Sequence, residues 1–320
     1  MKKLLLNRKL VDGPWGGGNL FVRAICENAH KNGYEIVHKL QPGIDAILLV
    51  DPRYDELGIS INEIAVYKNY HPRVRIVHRV NECDARKSTS DMDELLVGCS
   101  KVSDATVFVS KWTKEYFNTE YRYERPEYDD IVKRKGGPWR CEEQHVVYNG
   151  VNHEHFRPLD KEKLEKPIRI VAHHWSNNQL KGFDIYDQLD KWVGTQEGYE
   201  FIYIGRSQGK FKNAKIIDPL FGKALGDELR QYDIYVSASR YDPGPNHIIE
   251  ALACKLPTFV HSNGGGATEF ASSPGSQYST FDELILKIKQ KELHPEKIGW
   301  DFSWEDCAQR YFEIIESKAS

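Results

Sequence analysis

Short β-branched runs alternate with longer stretches of helical spacing along almost the whole chain, and this alternation limits the fold more than any other feature. Residues 3–6, 35–38, 46–50, 73–78, 106–110 and 146–148 read as strands, and after a break so do 168–172, 200–204, 214–217, 233–237 and 257–261. The segments between them, such as 20–30 closed by Gly33, carry the i, i+3, i+4 spacing of amphipathic helices. Strands separated by helices imply parallel sheets covered on both faces. Two series imply two sheets, and 320 residues suit two α/β domains. The break falls near Arg157-Pro158, and the charged stretch 159–167 reads as a linker.

With 44 Lys and Arg against 47 Asp and Glu, the net charge of −3 gives no polyanion-binding surface, so a nucleic-acid partner is not expected. Mean hydropathy is −0.59, and apolar runs such as 46–50 fall far short of the ~20 residues a membrane span needs. The opening Met1-Lys-Lys-Leu-Leu-Leu-Asn7 reads as a first strand, since its apolar run stops short of the roughly 7–15 residues of a signal sequence. Cys26, Cys83, Cys99, Cys141, Cys254 and Cys307 are scattered with no Cys-x-x-Cys pair, which fits buried thiols in a cytoplasmic protein. A faint basic patch (Lys111, Lys114, Arg122, Lys133, Arg134, Lys135 and Arg140), interleaved with acids, predicts no stable anchoring and leaves peripheral membrane contact open. Segment 118–144 lacks apolar periodicity. It reads either as disordered or as a functional loop that closes over an acceptor with Tyr121, Tyr123, Tyr128 and Trp139.

Four constellations carry chemistry. Asp12-Gly-Pro-Trp-Gly-Gly-Gly-Asn19 joins the first strand to a helix. It would let a ligand approach the backbone at Gly17 and Gly18, or serve only as a tight turn. His173-His-Trp-Ser-Asn-Asn-Gln-Leu-Lys181-Gly182 follows a strand end, where Lys181 suits a phosphate group or is simply solvated. The two histidines, placed on opposite faces of a strand, make a metal site unexpected. Arg240-Tyr-Asp242-Pro-Gly244-Pro245-Asn246-His247-Ile-Ile-Glu250 puts one carboxylate in a loop and another in the helix that Asn246 would cap. Two such carboxylates can bracket a polyhydroxyl ligand. A further glycine loop, Asn263-Gly-Gly-Gly-Ala-Thr-Glu269, follows the next strand.

These residues give the chain its resemblance to a known family. Asp242-x7-Glu250 with Ala251-Leu-Ala-Cys-Lys-Leu-Pro257 resembles the Glu-x7-Glu box of the retaining glycosyltransferase family four, which has the GT-B fold. Gly265-Gly266-Ala-Thr-Glu269, Tyr148-Asn-Gly-Val-Asn152 with Phe156-Arg-Pro158, the 104–112 stretch and Phe302-Ser-Trp-Glu305 resemble other segments of that family, so the likeness spans nearly the whole chain.

The resemblance implies two Rossmann-like domains facing across a cleft: an acceptor domain over 1–158 and a donor domain over 159–300. A final helix over 301–320 would return to the first domain. It implies a retaining, metal-independent transfer of a hexose from a UDP- or GDP-sugar to a glycan or other hydroxyl acceptor, with no cofactor beyond the donor. Lys181, Asp242 and Glu250 would be the catalytic groups: Glu250 holds the ribose hydroxyls, Asp242 the sugar hydroxyls, and Lys181 neutralises the departing diphosphate. Gly17, Gly18, His174, Ser176, Gly182, Arg206, Gly244, Pro245, Asn246 and His247 would complete the donor site. His78, Asn81 and Glu82 would meet the acceptor. Three departures stand out. The family's first Glu is Asp242. The usual Arg before the Lys is replaced near His174 or Ser176, with Arg206 as a substitute. The family's acceptor-side histidine has no clear counterpart in 78–86. A phosphorylase would need a much longer chain, whereas a degenerate protein that binds nucleotide sugars as a scaffold remains the alternative.

Overall fold

The structure, a computed structural model, describes all residues except 14–15, 54–55, 57, 120–121, 126–129, 134–138, 160–166, 291–299 and 318–320. It divides into two compact units, Met1–Asn149 with Trp304–Ser320, and Gly150–Ser303.

Unit one is built on strands β1 (Lys2–Leu6), β2 (Tyr34–Val37), β3 (Ala46–Leu49), β4 (Arg75–Val80) and β5 (Ala105–Phe108). A hairpin of β6 (Arg122–Arg125) and β7 (Asp130–Lys133) precedes β8 (Gln144–Val146). Apart from the hairpin these strands form one parallel sheet in the order β2-β1-β3-β4-β5-β8. Alternate residues of β1 serve opposite faces: Leu4 and Leu6 pack with Phe21, Ile25 and Tyr311, while Leu5 packs with Ile47, Leu49 and Ile64. A strand buried on both faces must be apolar throughout, which is why 46–50 reads as a continuous run. Helix Trp304–Glu316 lies in this unit, with Tyr311 on Phe21 at 4.6 Å between ring centres and Glu316 paired to Lys2 at 2.6 Å.

Unit two contains β9 (Ile168–His174), β10 (Tyr199–Gly205), β11 (Lys215–Ile217), β12 (Ile234–Ser237), β13 (Thr258–His261) and β14 (Gln277–Tyr278). They too form a parallel sheet, in the order β11-β10-β9-β12-β13-β14. Val171, Ile202 and Ile204 face one core, and Ile170, Phe201 and Tyr203 the other. Residues 150–158, read from sequence as the end of the first domain, lie in this unit. Val151 bridges to Ser303, and Phe156 joins the core with Leu225 and Leu229. The 160–166 part of the expected linker is outside the described residues.

Two expectations need revision. Segment 118–144 contains the antiparallel β6–β7 hairpin, with Arg122 opposite Lys133 and Arg125 opposite Asp130. A two-stranded ribbon pairs its backbone whatever its side chains, so missing apolar periodicity gave no sign of it. Tyr121 and Tyr128 are outside the described residues. Trp139 turns inward, packing on Phe108 at 5.2 Å and Phe117 at 5.0 Å while its indole N–H donates to Thr106 Oγ1 at 3.2 Å.

Beneath that indole lies His78, the second correction. It is 0 % exposed, its ring stacks on Trp139 at 6.0 Å, and neither ring nitrogen has a hydrogen-bond partner among the described residues. With no surface of its own, His78 cannot touch an acceptor in this arrangement. Burial pushes its pKa down to about 3, so the folded protein holds it neutral.

This depression has a sign. Below the ordinary histidine value of roughly 6.5 the unfolded chain takes up a proton that the folded one refuses, so stability falls as pH drops toward 3. The slope from this one group approaches about 1.4 kcal/mol per pH unit. Urea titrations at pH 7, 5.5 and 4.5 should show a shallower loss for His78→Leu than for the parent, and parallel curves would contradict the assignment.

Candidate functional site

Unit two's strand order changes direction between β9 and β12: from β9 the chain steps outward to β10 and β11, then returns to β12 on the other side. In open parallel sheets this crevice, at the carboxyl ends of the strands, is where ligands bind. The constellations 173–182 and 240–250 lie at the carboxyl ends of these two strands and in the segments that leave them.

After β9 the chain makes a single 3₁₀ turn, Gln179–Lys181, capped by Asn178, whose side chain accepts the Leu180 N–H at 2.8 Å. Gly182 follows in the left-handed region (φ 85°) and opens helix Phe183–Val193. A Cβ there would lie 2.2 Å from the Ala238 carbonyl oxygen, so only glycine lets this turn press against the end of β12. Arg240 N–H donates to the Leu180 carbonyl at 2.8 Å and closes the two segments together.

The turn thereby delivers Lys181 to Asp242. The ammonium lies 2.8 Å from Asp242 Oδ2 and 3.3 Å from Ser239 Oγ, with Lys181 7 % and Asp242 2 % exposed. Buried to this degree, each group has the other as a compensating partner. Tyr241, just before Asp242, sits at φ 53°, a conformation rare for a bulky residue, and its N–H donates to the Asn263 carbonyl at 2.8 Å. The third glycine loop completes the clamp: Asp242 N–H donates to Gly264 O at 3.2 Å, and Gly266 N–H to Asp242 O at 2.8 Å. A Cβ on Gly265 would come within 2.8 Å of the Asp242 backbone.

Helix Asn246–Ala253 carries the second carboxylate. Pro245, not Asn246, occupies its N-cap position, and no side chain caps this end, so the expected Asn246 cap is not formed. The ring of Pro245 supplies a fixed φ there instead. Ile248, Ile249, Ala251 and Leu252 are buried, which leaves Asn246 and Glu250, one turn apart, on the partly exposed face. Glu250 Oε2 meets His173 Nε2 at 2.9 Å. His174 bonds the Tyr186 hydroxyl at 2.7 Å, and His247 bonds Ser237 Oγ at 2.9 Å. Burial, reinforced by the nearby His247 and Lys181, holds His174 well below the ordinary histidine range. At the end of β9 the two side chains do face opposite sides: His173 packs against Tyr235 of one core at 5.5 Å, and His174 against Tyr186 and Tyr203 of the other at 5.6 and 6.3 Å, with the His247 ring 6.1 and 4.7 Å from them. No group of His, Cys, Asp or Glu among the described residues is arranged to hold a metal ion.

Lys181, Gly182, His174, Asp242, Gly244, Pro245, Asn246, His247 and Glu250 thus lie together beyond the carboxyl ends of β9 and β12. Ser176 is spent on the turn, its hydroxyl accepting the Asn178 N–H at 3.2 Å. Arg206, exposed after β10, lays its guanidinium over the Trp175 ring at 4.2 Å. Gly17 and Gly18 open helix Gly17–Ala29 of unit one, where a Cβ on Gly18 would stand 3.7 Å from Asn81 Nδ2. Glu82 is engaged by Arg86 at 3.6 Å and by Lys87 in a salt-bridged loop. Sequence reasoning overlooked His173 as a partner of Glu250, and Ser239 and the strained Tyr241. The two histidines did mark the strand end, but a contact spanning 77 residues has no local signature.

No protein-family model matches the chain. A probable sucrose-phosphate synthase of Thermosipho melanesiensis is 27 % identical over 229 residues, covering 62 % of this chain and 52 % of that protein. The chain therefore spans about half the length of this curated relative. Among solved structures, the sucrose-phosphate synthase of Thermosynechococcus elongatus superposes with a TM-score of 0.65 at 14 % identity, over 98 % of both chains. The lipopolysaccharide outer core galactosyltransferase WaaB gives 0.65 at 12 % identity, over 98 % of this chain and 99 % of that one. HepE of Anabaena, solved with UDP and glucose, gives 0.63 at 15 % identity, over 98 % of this chain and 95 % of that one. The chain has the GT-B fold. In this GT-B chain the Rossmann-like unit two holds Lys181, Asp242 and Glu250 where its strand order changes direction.

Removing one partner of a buried ion pair leaves the other charge stranded, at about 3–5 kcal/mol. Lys181→Met and Asp242→Leu should each show that loss in urea unfolding, and the double variant should recover most of it. Asp242→Glu should lose about 1–3 kcal/mol by overpacking, since aspartate already reaches Lys181. Additive losses in the double variant would contradict the pairing.

Proposed function

We propose that the chain is a retaining, metal-independent glycosyltransferase that moves a hexose from a UDP- or GDP-sugar to a hydroxyl of a glycan or other acceptor. The observation that carries this reading is the buried Lys181–Asp242 pair beside the partly exposed Glu250 at the switch point of unit two. Support also comes from the residue-by-residue likeness of Asp242-x7-Glu250 to the Glu-x7-Glu box. Sugar transfer is consistent with the names of the relatives: one is a synthase of a sugar phosphate, one a galactosyltransferase, and one was solved with UDP and glucose.

In this reading each group has a role set by its chemistry. The Glu250 carboxylate, an acceptor only, takes the O–H groups of the ribose. Asp242 accepts from hydroxyls of the transferred sugar. Lys181 is a cation fixed in place before reaction, so charge that develops on the leaving diphosphate is stabilised without reorganisation. The helix end at Asn246 adds its positive dipole. The acceptor oxygen bonds the anomeric carbon as the carbon–oxygen bond to the diphosphate breaks on the same face. The hydroxyl proton passes to the departing diphosphate, so configuration is kept. Lys181 supplies the cationic help that a divalent ion would otherwise give, and no cofactor is required beyond the donor. Among the described residues no helix is long and apolar enough to cross a membrane.

The test is turnover of UDP- and GDP-hexoses, with anomeric configuration read by NMR. Glu250→Ala and Lys181→Ala, each checked for folding by near-ultraviolet circular dichroism, should lose about 10²–10³-fold in turnover. Excess chelator should leave the parent unchanged, and the product should keep the donor's configuration. Nearly normal turnover in either variant removes that residue from the mechanism. Donor binding without turnover on any acceptor would favour the scaffold alternative.

A further inference from the structure

We propose that His173 is a positioning residue, which tethers one oxygen of Glu250 and leaves the other to accept the ribose hydroxyls of the donor nucleotide. This rests on the reading of Glu250 given above and deepens it.

The contact joins the end of β9 to the helix that follows β12, across the switch point. His173 Nε2 lies 2.9 Å from Glu250 Oε2, while Oε1 makes no hydrogen bond among the described residues. The imidazole itself is immobilised. It packs edge-on against Tyr235 (5.5 Å, 70°) and against His247 (6.1 Å, 90°), and its backbone N–H and C=O both meet the Tyr235 hydroxyl at 3.4 Å. Its other nitrogen, Nδ1, is buried without a partner among the described residues. A proton there would be an unsatisfied buried donor, so the arrangement favours the proton on Nε2, where it is donated to the carboxylate.

The consequence is for binding rather than for chemistry. An untethered glutamate loses side-chain freedom when it engages a ligand, and a vicinal diol demands acceptors at fixed spacing. With Oε2 held by His173, the carboxylate plane is set before the nucleotide arrives. His173 touches neither the sugar nor the diphosphate in this scheme, so its effect should appear as discrimination for ribose hydroxyls alone.

Isothermal calorimetry on the full chain reads that discrimination directly, with UDP and GDP compared against their 2′,3′-dideoxy counterparts. The parent should prefer the ribonucleotide at least tenfold. In His173→Ala the preference should shrink by about fivefold, the worth of one hydrogen bond, with the dideoxy affinity unchanged. His173→Gln, whose amide N–H can replace Nε2–H, should restore it. If the alanine variant does not fold, His173→Asn, with an amide too short to reach Oε2, is expected to show the same loss. A parent that discriminates while His173→Ala or His173→Asn discriminates equally well overturns the positioning role and leaves the reading of Glu250 standing. A parent that binds no nucleotide, or binds both forms equally, overturns that reading and the positioning role with it.

Discussion

The ion pair between Lys181 and Asp242 is the interaction on which the rest of unit two's binding edge depends. Two opposite charges are buried together at 2.8 Å, and the backbone around them is shaped to make the approach possible. Gly182 removes the Cβ that would strike Ala238, and Gly265 removes the one that would strike Asp242. Tyr241 accepts an unfavourable φ so that Asp242 turns toward the lysine. Strain of this kind, of order 1–3 kcal/mol, persists only where the surroundings over-determine it, and it clusters at functional sites.

A second layer of polar contacts surrounds that pair. His173, His174 and His247 each spend a ring nitrogen on a neighbour: a carboxylate, a tyrosine hydroxyl and a serine hydroxyl respectively. Burial holds His174 well below the ordinary histidine range, so it adds no positive charge beside Lys181. Such an edge offers a buried lysine, a helix end without a side-chain cap and a half-tethered carboxylate. These are groups complementary to phosphate and to sugar hydroxyls.

The architecture was legible because both sheets are parallel and doubly covered, which writes each strand as a short apolar run. Residues 46–50 and 168–172 show this plainly, and the structure extends the second to His174. The grouping of Lys181, Asp242 and Glu250 beyond β9 and β12 was legible too, since Lys181 and Asp242 follow strand ends in glycine- or proline-marked turns and Glu250 lies in the helix after the second of them. What escaped was long-range or side-chain-independent. The β6–β7 hairpin is held by backbone pairing, and the two-residue β14 is too short to carry a pattern. His78 looked like a surface group at a strand tip, but Trp139, 61 positions later, covers it. Nothing local distinguishes an imidazole that binds from one that is entombed. The pairing of His173 with Glu250 escaped for the same reason.

Hydrogen exchange followed by mass spectrometry, with and without UDP- and GDP-hexoses, tests the central claim most directly because it reports where a donor binds. If the switch point of unit two is the donor site, one of the two donors should slow exchange in the segments carrying His173 to Gly182 and Ser239 to Glu250. Lys181→Met should weaken that protection. Protection confined to other segments, or none with either donor at saturating concentration, would contradict the assignment.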